Sequence, residues 1–312
     1  MADNEVKQQT VASSLRAFKA SMPRSLKATA RGSTRLYGRA TSWRRTLPNF
    51  LIIGTKRGGT TSLWNALINH EHVLPLFPRQ QELKSPHYFD INYHRGEAWY
   101  RSFFPTRWDR RKSLQLTGKA PIAGEASPYY MFHPLAAERI ANDLPDVKLI
   151  VSLRNPVDRA WSHYNERVAG HTETLPFVAA LDAEASRISR EEDLIVQRQP
   201  AYYSFHHDLS TYLARGRYWE HLQAFSRRFG PDQLLILRAE DFYSDPVRVL
   251  SNVADFLGLD VTGFGRMEHY NRIPRDTLDP TIREWLTEYY RPSVAELESA
   301  LGRSFTWDGF TG

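Results

Sequence analysis

A short apolar stretch that runs into a glycine turn and then into an apolar helix, residues 50–67 (FLIIGTKRGGTTSLWNAL), constrains the fold of this chain most. Its first four residues are typical of a strand covered on both faces of a parallel sheet. Gly58 and Gly59 allow backbone conformations that other residues resist, and Thr60 and Thr61 follow where a helix would begin. Free amides and the positive end of the helix dipole would then converge on one anion. The stretch predicts a phosphate-binding loop.

The spacing from Gly54 to Gly59 matches the Walker A pattern G-x4-G-K-[ST], with one change. Thr60 stands where the pattern has lysine, and the lysine of this loop is Lys56. The change argues against an ordinary nucleoside triphosphatase. A glycine turn that joins strand and helix without binding anything is the alternative.

A second informative stretch, VKLIVSLRNPVDRAWSHY, starts with residues 147–153 as a buried strand. Asn155 and Pro156 predict that a helix begins directly after Arg154. The comparable strand of a kinase or triphosphatase usually ends in an aspartate that holds magnesium, whereas the guanidinium of Arg154 suits phosphate. Ser162 follows about 9 Å along the helix from Pro156 and would add a neutral donor. Taken singly, Arg154 would be a surface salt-bridge residue and Ser162 an ordinary helical serine, but together they predict an anion site without a metal.

Strands and helices alternate along the rest of the chain, with further strands predicted at residues 73–77 and 234–237. This order predicts an α/β fold, a P-loop-like and largely parallel sheet flanked by helices. Residues 107–119 are predicted to form a charged, exposed linker. Residues 170–215 are polar and predict helices that form a lid or an acceptor cap over the site.

The charge of the chain is unevenly distributed. Residues 1–46 contain ten Lys or Arg and two acidic residues, a net charge of +8, whereas the remaining residues carry a net charge of −2. We therefore predict a basic, weakly ordered extension over residues 1–46 and one domain over residues 47–312. The extension could contact an anionic membrane surface, while specific nucleic-acid binding by the domain is disfavoured.

The composition of the chain narrows the kinds of fold and site that remain possible. The chain is 41% hydrophobic and 12% aromatic, enough for a substantial core, and it contains no cysteine for disulfides or thiolate metal sites. Adjacent His206 and His207 lack the spacing of a metal-binding motif. The absence of a bilayer-length apolar run and of a secretory signal predicts a protein that is cytoplasmic or peripheral at a membrane surface.

The two anion-binding stretches together resemble the sulfotransferase family that uses 3'-phosphoadenosine 5'-phosphosulfate (PAPS), over roughly residues 48–310. IIGTKRGGTTSLW is similar to the loop that binds the 5'-phosphosulfate. LIVSLRNPVDRAWSHY is similar to the 3'-phosphate signature, with Arg154 and Ser162 at its two characteristic positions. RGRYWEHLQAF, LRAEDFYSDP and LGRSFTW resemble the carbohydrate, heparan-type and bacterial branch more than the cytosolic phenol and steroid branch.

The resemblance implies metal-independent, in-line transfer of a sulfonate from PAPS to a hydroxyl of a glycan, glycolipid or related acceptor, which releases adenosine 3',5'-bisphosphate. It implies that Lys56 binds the bridging or sulfonyl oxygens and that Arg154 and Ser162 hold the 3'-phosphate. The remaining residues implied in donor binding contribute backbone amides: Arg57, Gly58, Gly59, Thr60 and Thr61.

One departure from the family concerns the catalytic base. Many carbohydrate sulfotransferases have Lys-Glu before an aromatic pair, and that glutamate is the presumed base, whereas LKSPHYF has Ser85 in its place. A serine cannot take the proton unaided at neutral pH. We predict that Glu125 or His87 takes this role, with Glu82 as a further candidate.

Other functions remain open at this stage. A P-loop kinase that uses ATP and magnesium is opposed by Thr60 and Arg154, and a sulfotransferase for small-molecule alcohols or phenols is a second alternative. A non-catalytic basic adaptor for membranes or nucleic acid is a third. Asn271, Arg272 and Arg275 predict either a loop that closes over the donor or a solvated basic turn.

Overall fold

A computed structural model describes residues 24–79, 83–199, 202–264 and 277–310, with side chains from residue 32 onward. Strands and helices alternate through these residues. The strands are β1 (Phe50–Gly54), β2 (Val73–Leu74), β3 (Ile122–Ala126), β4 (Lys148–Leu153) and β5 (Leu234–Arg238). The α-helices are α1 (Arg24–Ala40), α2 (Thr60–Ile68), α3 (Glu97–Arg101), α4 (Arg107–Thr117), α5 (Ala136–Asp143), α6 (Pro156–Ala169), α7 (Phe177–Ile188), α8 (Glu191–Gln197), α9 (Phe205–Leu209), α10 (Tyr218–Ser226), α11 (Ala239–Ser244), α12 (Pro246–Leu257) and α13 (Pro280–Leu301).

The strands form one parallel sheet in the order β2-β3-β1-β4-β5. Phe50 at the start of β1 pairs with Gly124 on one side and with Lys148 on the other. All five residues of β1 are buried, which explains its unbroken apolar run. The predicted α/β fold with a parallel sheet is confirmed. Strand β2 is only two residues long because Pro75, which cannot donate to the ladder, follows it.

Helices cover the sheet and share its hydrophobic core. On α2, Leu63 and Leu67 are buried, and the helix packs back on β1 and β3. Helix α13 packs against α6 and α10. Within the described residues, no helix is both long enough and apolar enough to cross a bilayer.

The predicted cap segment contains three short helices, α7, α8 and α9. Glu184 on α7 ties this segment to the chain that follows, because its carboxylate accepts backbone N–H groups at 2.6 to 2.7 Å. Those donors are Tyr212, Leu213 and Ala214. The helices are as predicted, and the role of the segment in acceptor binding stays a prediction.

The predicted exposed linker at residues 107–119 is wrong, because this segment forms helix α4. Thr106 caps the helix by accepting from the backbone N–H of Asp109, whose carboxylate accepts from the backbone N–H of Thr106 in return. Gly118 ends the helix with a φ of 75°. This capping box and the closing glycine define a helix on which Arg107, Arg111 and Lys112 face solvent.

The described part of the predicted weakly ordered extension is helical and packed on the domain. Arg45 is 1% exposed, donates to the backbone carbonyl of Phe104 at 2.7 Å and lies 4.1 Å from the ring centre of Phe77. Arg35 donates to the carbonyl of Phe77 at 2.6 Å. Arg45 is therefore buried and Arg35 partly buried against the domain, so the segment around them is packed rather than weakly ordered. The domain boundary at residue 46 stays a prediction.

Candidate active site

The glycine turn between β1 and α2 is fitted closely against β4. Gly59 precedes the first residue of α2 with a φ of 79°, a conformation that glycine adopts without strain. A Cβ on Gly58 would lie 2.3 Å from the backbone oxygen of Ser152 on β4. The first amides of α2 have no partner within the helix, so they point donors and the positive helix end toward the turn.

Arg57 joins the turn to helix α6. Its Nε donates to Ser162 Oγ at 2.9 Å, and its Nη1 donates to Glu166 Oε1 at 3.1 Å. Arg154, directly after β4, places its Nη1 3.5 Å from the backbone oxygen of Arg57. The structure therefore brings together the two stretches that the sequence singled out, at the carboxyl ends of two adjacent parallel strands.

Lys84 lies over the start of α2, a position that the sequence did not predict. Its Nζ is 3.1 Å from Thr60 Oγ1 and 3.1 Å from Thr61 Oγ1. Burial lowers the pKa of Lys84 to about 8, against a smaller opposing effect of Glu166. The only sequence signal for Lys84 is its place next to Ser85 in the LKSPHYF segment.

Lys56 faces α9 of the predicted cap. Its Nζ lies 3.3 Å from the backbone oxygen of Asp208 and 3.7 Å from Asp208 Oδ1. Burial, and then the cation of Arg215, lower the pKa of Lys56 to about 7, while Asp208 partly opposes them. Arg215 is fully buried and donates to the same Asp208 carbonyl at 2.7 Å. Sequence reasoning missed Asp208 and Arg215, because only the fold brings them to the loop.

Glu125 on β3 has no exposed surface. One carboxylate oxygen accepts from Tyr100 OH at 2.5 Å and from Tyr130 OH at 3.1 Å, and the other accepts from Ser85 Oγ. Burial raises the pKa of Glu125 to about 7, although the three hydroxyl donors oppose the rise. In this position Glu125 contacts no solvent, so a proton from an acceptor would have to reach it through Ser85.

His87 is half exposed and is oriented by an acidic side chain. Its Nδ1 lies 2.9 Å from Asp90 Oδ2, which also accepts from Ser127 Oγ at 2.9 Å. Burial lowers the pKa of His87, but the hydrogen bond to Asp90 and its charge outweigh burial and raise it above the usual value. The backbone N–H of His87 donates to Ser85 Oγ at 2.9 Å, so Ser85 touches both predicted bases.

Some predicted positions fall elsewhere. Glu82, Asn271, Arg272 and Arg275 lie outside the described residues. His207 is fully buried and bonds Tyr129 OH through Nδ1 at 2.8 Å. Within the described ranges, no three His, Cys, Asp or Glu side chains are grouped as a metal site.

Comparison with known proteins places this site in a family. Residues 47–300 match the sequence model of the sulfotransferase domain. Heparan sulfate glucosamine 3-O-sulfotransferase 3A1 of Mus musculus is 30% identical over 287 residues, with 84% of this chain and 65% of that protein covered. The membrane-associated sulfotransferase kil1 of Dictyostelium discoideum is 26% identical over 325 residues, with 84% of this chain and 66% of that protein covered.

A solved sulfotransferase from Alicyclobacillus acidocaldarius has the same fold, with a TM-score of 0.61 and 29% identity over 84% of this chain and 98% of that one. The chain spans slightly less than two thirds of the length of the two curated relatives. The family match extends over most of the sequence and includes both stretches that are predicted to bind anions. On these grounds the chain belongs to the sulfotransferase family.

Proposed function

We propose that this chain transfers a sulfonate from PAPS to a hydroxyl of a glycan or glycolipid. The observation that carries the proposal is the meeting of two distant stretches at one sheet edge. Arg154 Nη1 lies 3.5 Å from the carbonyl of Arg57, and Arg57 Nε lies 2.9 Å from Ser162 Oγ. A ligand with phosphate groups at two places suits such a pair of donor clusters.

The chemistry of the donor set fits a phosphosulfate. Lys56, Lys84 and Arg57 surround the first turn of α2 with cationic groups, and Thr60 and Thr61 add neutral hydroxyls. Cations and oriented amides at a helix start are the groups that bind phosphate and sulfate in proteins.

The site also contains a buried N–H group that could donate a hydrogen bond to a ligand. Nε of Arg167, on the same helix as Ser162, is buried without a hydrogen-bond partner in the described part of the chain. A buried donor of this kind is costly unless a ligand or water satisfies it.

The residues of the candidate site divide between the two ends of PAPS, the sulfonate donor. PAPS, when bound, supplies the sulfonyl group and a nucleotide leaving group. Lys56 would bind its sulfonyl or bridging oxygens, helped by Lys84 and by the amides of residues 57–61, where charge develops. Arg154 and Ser162 would hold the 3'-phosphate.

We assign the role of catalytic base, which removes the proton from the acceptor hydroxyl, to His87 rather than directly to Glu125. Asp90 holds Nδ1 of His87, and Nε2 has no hydrogen-bond partner among the described residues. That nitrogen can therefore accept the proton of an incoming hydroxyl. A role for Glu125 would need Ser85 to pass the proton inward, because the carboxyl is enclosed by hydroxyl groups.

The glycan acceptor is supported by the relatives rather than by a motif. The mouse relative is named for sulfation of glucosamine in heparan sulfate. A sugar hydroxyl is the same kind of nucleophile that His87 would deprotonate. Small-molecule alcohols and phenols are the competing acceptors.

The experiment has a binding part and a transfer part. Calorimetry should show that adenosine 3',5'-bisphosphate binds without magnesium and more tightly than ADP, because ADP lacks the 3'-phosphate that Arg154 would hold. A labelled-sulfate screen should then show transfer to glycans or glycolipids. Tighter, magnesium-dependent binding of ADP would overturn the proposed donor, and transfer only to small phenols would overturn the proposed acceptor.

A further inference from the structure

Large aromatic side chains are exposed on the N-terminal segment and on helix α4. Trp43 is 64% exposed, Trp108 is 66% exposed, and Tyr37 is 58% exposed. Leu36 beside them is also exposed. Clustered exposed apolar side chains usually mark an interaction surface, and Trp and Tyr are the side chains that favour the boundary between lipid and water.

These side chains form one continuous patch although they come from two parts of the sequence. Arg45 and Thr106 form an antiparallel bridge, and the backbone N–H of Thr46 donates to the carbonyl of Pro105 at 3.1 Å. Beside this bridge, both segments line a shared cavity of about 340 Å³. The cavity is lined by Tyr37, Thr41, Trp43, Arg44, Thr106, Arg107 and Trp108.

Helix α4 extends the patch. Trp108, Lys112 and Leu116 are four residues apart in turn, so they share one stripe of the helix. All three are exposed. An exposed stripe that mixes large apolar and cationic side chains is typical of segments that lie at a membrane surface.

The patch is strongly positive, unlike the rest of the domain. Residues 32–46 and 106–117 contain eight Lys or Arg and one acidic residue, Asp109, whose carboxylate is engaged in the cap of α4. Five of the cations are exposed and have no acidic partner within 4.0 Å among the described residues. These are Arg39, Arg44, Arg107, Arg111 and Lys112.

The cations lie next to the aromatic rings. The guanidinium of Arg44 is 4.4 Å from the ring centre of Trp43, and Nζ of Lys112 is 5.2 Å from that of Trp108. A flat bilayer would meet both kinds of group at once, because its anionic headgroups attract the cations while the rings enter the interface.

We propose that this surface, the Trp43–Trp108 patch, docks the protein on an anionic lipid bilayer. The patch consists of the exposed side chains of residues 36–44 and 107–116.

The patch and the candidate active site lie at opposite ends of the strands. Arg110 of α4 donates to the carbonyl of Pro121 and to Asn49 Oδ1, residues just before β3 and β1. Helix α4 therefore lies at the amino ends of the strands, about 15 Å along β1 from the loop at their carboxyl ends. Docking through it would leave the candidate active site uncovered.

The test is co-sedimentation of the full chain with vesicles made of equal parts phosphatidylserine and phosphatidylcholine. We expect binding that weakens with salt and is absent with phosphatidylcholine alone. The double variant Trp43→Ala, Trp108→Ala should bind at least about tenfold more weakly. Charge reversals Arg44→Glu and Lys112→Glu should each weaken binding by about fivefold or more.

Trp285→Ala is the matched control, because Trp285 is half exposed on α13 and lies outside the patch. It should bind vesicles like the native chain. Unchanged affinity of the double variant for adenosine 3',5'-bisphosphate would show that it is folded. The proposal is overturned if the native chain does not bind the anionic vesicles, or if the double variant binds them as well as the native chain. Binding of heparin through the two tryptophans without vesicle binding would also overturn it, in favour of a glycan.

Discussion

The ammonium group of Lys56 is held in an unusual electrostatic setting. It is buried beside the cation of Arg215, and its pKa is lowered to about 7. Near neutral pH it is therefore charged only part of the time. An anion bound at the glycine turn would favour the protonated, charged form of Lys56. Lys56 would therefore carry its full positive charge when PAPS is bound.

We expect Lys56→Ala to lower turnover by about 100- to 1000-fold, the usual effect of removing one oriented donor from developing charge. Affinity for adenosine 3',5'-bisphosphate should change little, because this product lacks the sulfonyl group. Arg154→Ala should do the reverse and weaken product binding by about tenfold or more. Steady-state kinetics and calorimetry measure the two effects. Normal turnover in the lysine variant would contradict its role.

The proposed base predicts a pH effect as well as a rate effect. His87→Ala should lower turnover by about 100-fold or more. In the native chain, activity should rise with pH as His87 loses its proton. Asp90 raises the pKa of His87, so Asp90→Asn should move this rise to lower pH. Full activity of His87→Ala in a pH-rate profile would rule out His87, and a loss seen only in Glu125→Gln would favour the buried carboxyl.

Glu125 also makes stability depend on pH. Burial raises its pKa from 4.5 to about 7, so the folded chain holds this proton more tightly than the unfolded chain does. The contribution of Glu125 to stability is therefore greatest below its unfolded pKa and is lost as pH rises toward its folded pKa. Glutamine cannot ionise, so the stability of Glu125→Gln relative to the native chain should increase by about 2 to 3 kcal/mol between about pH 5 and pH 7.5. Urea denaturation at both pH values measures this, and parallel profiles would contradict it.

At the scale of elements, the glycine turn is tied to β4 from both directions. The backbone N–H of Thr55 donates to the carbonyl of Ser152 at 3.0 Å, and Ser152 Oγ donates to the carbonyl of Gly58 at 2.6 Å. β4 leads directly into Arg154. The loop and the arginine are thus attached to the same strand.

Gly58→Ala should break this attachment, because its Cβ would lie 2.3 Å from the backbone oxygen of Ser152. We expect a loss of about 1 to 3 kcal/mol in the free energy of unfolding, the usual range for overpacking. Product affinity should also fall by about tenfold or more, since the donors would be displaced. Gly230→Ala is the control, since nothing lies within 4 Å of a Cβ there. Equal behaviour of the two variants in calorimetry and denaturation would refute the close fit.

Local patterns explain which elements the sequence predicts. β1, β4 and the starts of α2 and α6 depend on residues adjacent in the chain, and all four lie where expected. Helix α4 was missed although Thr106, Asp109 and Gly118 carry a readable start and stop signal. The charged composition of the segment favours a linker and outweighs these signals in the sequence prediction.

Contacts between distant segments explain the residues that were missed. Asp208 and Arg215 come to Lys56 from the cap segment. Asp208 stands in no motif, and the RGRYWEHLQAF stretch that begins at Arg215 gives no sign of a contact with Lys56. Predicting them would require knowing how the cap folds back on the sheet. Lys84 and Asp90 flank predicted residues, yet their contacts also depend on the final loop conformation.

At the scale of the whole molecule, the N-terminal segment is joined to the domain through the buried Arg45 and the partly buried Arg35. The composition of the segment does not predict this attachment. A run of basic residues predicts solvent exposure unless the carbonyls and aromatic rings that contact the arginines are known. Arg45 meets the Phe104 carbonyl and the Phe77 ring. Its exposed neighbour Arg44 makes no comparable buried contact.

Arg45→Ala should therefore lower the free energy of unfolding by about 2 to 3 kcal/mol, because a buried carbonyl loses its donor and the packing around it is lost. Arg44→Ala should change it by less than about 0.5 kcal/mol. Chemical denaturation of the two variants provides the comparison. If both are as stable as the native chain, the N-terminal segment does not contribute to the stability of the domain.

Because the turn and Arg154 are both attached to β4, we expect this strand to set the distance between the two predicted anion-binding ends. This spacing would select nucleotides by the distance between their charged groups. A nucleotide whose charged groups are spaced too closely or too widely can satisfy one end only, so selection among cellular nucleotides would follow molecular length as much as charge.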